Sequence, residues 1–84
     1  MKRRIGKFDI HQILIEDYPA VVREVIGRCK ILGSVNRCAL HITTYTAISD
    51  DFELVIDDGN IPRYTWNIIG MGEVSVVGGA IRAD

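Results

Sequence analysis

The spacing of the apolar residues changes at Gly33-Ser34, and that change limits what this chain can fold into. Before it, Val21, Val22, Val25, Ile26, Cys29 and Leu32 recur at the intervals of one helical face. Arg23, Glu24, Gly27, Arg28 and Lys30 fill the opposite side. Pro19 suits the first turn and disfavours a helical Tyr18, so a helix is expected to start there and to close at Gly33. After it, alternation takes over. Cys38–Ile48 is rich in threonine and isoleucine, Phe52–Ile56 and Arg63–Ile68 alternate, and Val74–Val77 begins a further run.

A first helix is read over Ile10–Asp17. Asp9 and Gln12 stand at the spacing of a reciprocal cap, and Phe8 and Ile13 at that of a hydrophobic staple. The isoleucines of Ile10–Ile15 equally suit a strand, and the cap pair favours the helix. Asp57-Asp58-Gly59-Asn60 is a strong hairpin signal, because Asp-Gly accepts positive φ cheaply. Gly70-Met71-Gly72-Glu73 turns the chain again, and Gly78-Gly79 bends or ends the last strand. The expected fold class is α+β: two N-terminal helices packed on a four-stranded antiparallel β-sheet, α-α-β-β-β-β.

The chain has 84 residues, 48% apolar and 25% charged, which is the balance of one small folded domain over 1–84. No apolar run approaches the ~18–20 residues of a membrane span. Met1-Lys2-Arg3-Arg4 imitates the basic start of a signal peptide, but Asp9, His11, Glu16 and Asp17 interrupt the stretch that would have to be apolar. A cytoplasmic protein with both cysteines reduced is expected. Charge is uneven: residues 1–7 carry +4 as a basic, flexible arm, residues 8–42 are neutral, and residues 43–84 carry −5. That arm offers Lys2, Arg3, Arg4 and Lys7 to an anion or a nucleic acid, with Arg37 or Arg63 as helpers.

Cys29, Cys38, His41 and His11 are four possible zinc ligands, yet no tight cysteine knuckle anchors them, and no metal site is expected. Cys38 and His41 at odd spacing on one strand would face opposite ways, which argues against a thiol–imidazole dyad. Asp50, Asp51, Glu53, Asp57 and Asp58 lack the calcium-loop register and read as solvated loop ends. Gly70-x-Gly72 and Gly78-Gly79 lack the spacing of a phosphate loop, so no cofactor is expected. Tyr64 and Trp66 beside Arg63 would make a base-stacking platform if exposed, or the sheet face under the helices if not.

These readings favour a non-enzymatic protein-binding or regulatory module. Nucleic-acid binding through the arm stands second, weakened by the acidic body. A small enzyme using His11 or His41 stands third. Self-association is expected through Val74, Val76 and Val77, since Val74–Ile81 carries no charge to protect an edge.

Overall fold

The computed structural model describes residues 2–56, 59–69 and 76–83. Its elements are β1 (Lys2–Arg3), β2 (Ile5–His11), α1 (Gln12–Asp17), α2 (Pro19–Gly27), β3 (Lys30–Arg37), β4 (Ile42–Ile48), β5 (Val55–Ile56), β6 (Tyr64–Ile69) and β7 (Val76–Arg82). Among the described residues, strands dominate and form three small antiparallel sheets: β1 with β5, β2–β4–β3 in that order, and β6 with β7. This overturns the expected pair of helices on a four-stranded sheet.

The first departure is at residues 5–11. Gly6, Phe8 and Ile10 are buried while Asp9 and His11 are exposed, a period of two. Asp9 is therefore a strand residue, and β2 pairs with β4 from Ile5↔Ile48 to His11↔Ile42. A side-chain cap contributes only ~1 kcal/mol, and a seven-residue ladder with the inward aromatic contacts of Phe8 outweighs it. The cap of α1 is His11, whose Nδ1 accepts from the Ile13 amide at 3.2 Å. Phe8 staples nothing; it packs on Tyr45 and Trp66 at centroid distances of 5.5 and 5.6 Å.

The second departure is the end of α2. The helix breaks at Tyr18 and restarts at Pro19 as expected, but it stops at Gly27. Val21 and Val25 are buried, and Val22, Ile26 and Cys29 pack at the margin. Lys30–Arg37, read as the last helical turn and a loop, is instead a strand antiparallel to β4. Leu32 sits in a bulge between Ile31 and Gly33 and is exposed. Helical spacing alone could not reveal a competing ladder on a segment further along the chain.

The third departure is strand pairing. β5 does not form a hairpin with β6; it pairs with β1 across Lys2↔Ile56 and Arg3↔Val55. β6 pairs with β7 from Tyr64↔Arg82 to Ile69↔Val76. Gly78 and Gly79 do not end that strand, which runs on to Arg82. They sit opposite Asn67 in a bulge, between the pairs Trp66↔Ala80 and Ile68↔Val77, with Gly79 at φ +117°. Asp57-Asp58 and the Gly70–Glu73 turn lie outside the described residues.

The sheets meet at β2 and β6. Lys7 and Arg63 form a parallel bridge, and the Lys7 amide donates to the Pro62 carbonyl at 2.9 Å. There the chains approach so closely that only glycine fits at position 6. A Cβ on Gly6 would lie 2.6 Å from Tyr64 Cδ2 and 3.0 Å from Phe52 Cδ2. The core is Phe8, Ile10, Val21, Val25, Ala47, Phe52, Tyr64 and Val77. Phe52 and Tyr64 stack at 4.4 Å, and the Tyr64 hydroxyl accepts from the Glu53 amide at 2.8 Å. Arg28 ties α2 to β7 by donating to the Val77 carbonyl at 2.8 Å. Among the described residues, no helix is long and apolar enough to cross a membrane.

Candidate functional site

β4 is the centre of its sheet, so among the described residues β3 is paired on one side only. The strand is eight residues long, and every residue except the half-buried Ile31 is exposed. Such a strand presents a row of N–H and C=O groups with no partner in the sheet, the usual template for another strand. Its apolar side chains are also uncovered: Leu32 is 45% and Val35 61% exposed. Beyond Arg37 a single 3-10 turn, Cys38–Leu40, leads to His41 in the left-handed region at φ 54° and back into β4. Leu40 at this tip and Ile13 at the start of α1 are exposed as well. The edge thus carries two apolar side chains between cationic ends, Lys30 and Arg37.

The residues singled out from sequence are dispersed. His11 caps α1, and His41 accepts the Gln12 amide at its carbonyl, 2.8 Å away, so both histidines stand at the same end of the β2–β4 ladder. The Cys38 thiol donates to Asn36 Oδ1 at 3.4 Å. Cys29 is half-buried beside Ser49, and burial pushes its thiol above the ordinary value, the Ser49 hydrogen bond opposing. Among the described residues, no three His, Cys, Asp or Glu side chains group to hold a metal.

Lys2 and Arg3 lie in β1, Arg4 donates to the Phe52 carbonyl at 2.8 Å, and Lys7 is half-buried in β2. Tyr64 is buried and Trp66 packs edge-on against Phe8, which makes that aromatic face core and no stacking platform. In the acidic stretch, Asp51 pairs with Arg28 at 3.4 Å and Glu53 with Arg82, while Asp57 and Asp58 lie outside the described residues. Of the expected self-association strand, Val74 lies outside the described residues. The Val76 backbone pairs with Ile69, and Val77 is buried.

A cavity of about 340 Å³ opens between the two helices and β6. Its walls are mostly apolar. At its rim Arg63 Nη1 reaches both Asp9 carboxylate oxygens at 3.3 Å, and the Thr44 hydroxyl donates to Asp9 Oδ1 at 2.7 Å. Neither this cavity nor the β3 edge was legible beforehand, because both depend on which strands pair. The one available signal for β3 was the Ile31-Leu32 and Val35 apolar set beside a Gly-Ser pair.

No family model matches the chain, and no characterised protein or solved structure matches it either.

Proposed function

We propose that this chain is a non-enzymatic protein-binding module that takes up an extended segment of a partner along the free edge of β3. One observation carries the reading: an eight-residue strand paired on one side only, with Leu32 and Val35 uncovered on it. Main-chain hydrogen bonds to the edge would supply affinity, and alternate side chains of the segment would supply selectivity. Lys30 and Arg37 at the two ends favour a segment with an apolar middle and acidic ends. A second copy of the chain is also a candidate partner, through β3 or through β7, which pairs with β6 alone among the described residues. A cytoplasmic location, with Cys29 and Cys38 as free thiols, belongs to this reading.

The test is selection of linear peptides from a displayed library on the wild-type protein and on Leu32→Lys/Val35→Lys. Both positions are exposed, so the double variant should keep its melting temperature within the range of ordinary surface changes. The expected result is enrichment of alternating apolar peptides on the wild type, lost on the variant. Enrichment that is equal on the two proteins would refute the site. Retention on nucleic-acid columns that falls steeply with salt would favour the rival reading, through Lys2, Arg3, Arg4 and Lys7.

A further inference from the structure

We infer that the cavity between the helices and β6 is a binding site for a compact, uncharged aromatic small molecule. The site lies at the β2–β6 junction, at the opposite end of the strand order from β3, so it goes beyond the peptide-binding reading. Its walls are drawn from Leu14 of α1, Val21, Val22 and Val25 of α2, and Trp66 and Ile68 of β6. Protein interiors leave few voids larger than a water molecule, and the polar side chains of this lining are confined to Asp9, Arg63, Tyr64, Thr65 and the Trp66 indole, against an otherwise aliphatic wall. An apolar space of this kind takes an apolar occupant. At about 340 Å³ it is roughly twice the ~150 Å³ cavity that holds one benzene, which suits two fused rings.

Charge selects further. The charged side chains at the rim are Asp9 and Arg63, and they neutralise each other at 3.3 Å. An anion would have to compete with Asp9 for Arg63, and a cation with Arg63 for Asp9, whereas a neutral ligand leaves the pair intact. Aromatic side chains add ring contacts, since Tyr64 and Trp66 both form part of the lining.

The chain has a single tryptophan, so one indole N–H resonance reports on the site. Its Nε1–H is buried with no acceptor among the described residues. The experiment titrates 2-naphthol and, separately, 2-naphthoate into ¹⁵N-labelled protein. The expected result is a saturable shift of the Trp66 indole signal with 2-naphthol below ~1 mM, and at least about tenfold weaker binding of the carboxylate. Val22→Phe and Leu14→Phe each fill the space and should weaken 2-naphthol at least about tenfold, while Val35→Lys on the distant edge leaves it unchanged. Absence of a saturable shift in the wild type would overturn the inference without help from any variant. Equal binding of the carboxylate would overturn the charge selection. Full binding by a folded Val22→Phe or Leu14→Phe would place the ligand elsewhere.

Discussion

Gly6→Ala is expected to destabilise the protein by about 1 kcal/mol, through one methyl group. The new Cβ would stand 2.6 and 2.7 Å from Tyr64 Cδ2 and Cε2, where ordinary contact begins at 3.4 Å. Tyr64 has little room to retreat. Its ring stacks on Phe52 at 4.4 Å with an interplanar angle of 19°, and its hydroxyl holds the Glu53 amide. Phe52 is itself 3.0 Å from the new atom. Overpacking of this kind costs ~1–3 kcal/mol. If the ring yields, the stack and the hydrogen bond each lose ~0.5–1.5 kcal/mol instead. Replacing glycine within a strand returns ~0.5–1 kcal/mol of backbone entropy, which leaves a net loss of about 1 kcal/mol. A domain of 84 residues has about 4–13 kcal/mol in total, so the loss is large but leaves a folded protein to measure. Urea unfolding followed by Trp66 emission gives the value directly. In a Tyr64→Leu background the two closest contacts are gone and only the 3.0 Å approach to Phe52 remains, so the alanine should cost less than ~0.5 kcal/mol. Additive effects in that cycle would refute the close approach of β2 to β6.

Val25→Asp should abolish the folded state, since Val25 is 3% exposed among the apolar side chains of the core cluster; a native circular dichroism spectrum would contradict the assignment. A chain starting at Ile5 should lose about 1–2 kcal/mol in thermal melts, because it lacks β1 and the bond from Arg4 to the Phe52 carbonyl. Stability should decline as pH rises above the ordinary thiol value of 9.0. Burial raises the folded pKa of Cys29, so the unfolded thiol ionises first, and the contribution present below that value is lost as pH climbs through the folded one. Cys29→Ala should flatten the slope of denaturation midpoints against pH.

The features that could be read from the residues were local. Pro19 marked the start of α2 and the alternation of Tyr64, Trp66 and Ile68 the strand β6; of the helix face, Val22, Val25, Ile26 and Cys29 were expected in the core, and Val25 is there with Val21 while the other three are half-buried. Partnership could not be read. Lys30–Arg37 has weak alternation and continues a helical pattern in phase, so only the ladder offered by β4 makes it a strand. Residues 5–11 carried two patterns at once, a cap at Asp9 and alternation across Phe8 and Ile10, and burial on β4 decided between them. The Asp-Gly signal near residue 59 marked a turn without saying that β5 would return to β1 rather than to β6. The edge and the cavity arise from those pairings, which is why Leu32 reads in the sequence as part of a helical face and Asp9 as a helix cap.

The free edge of β3 is tested most directly by amide hydrogen exchange, resolved by residue across Lys30–Arg37, in the free protein and with a selected peptide. In the free protein, amides bonded to β4 should exchange slowly and the alternate ones facing away should exchange fast. Bound peptide should slow that second set and leave β7 unaffected. Uniform protection of β3 in the free monomer, or protection gained only elsewhere, would contradict the account.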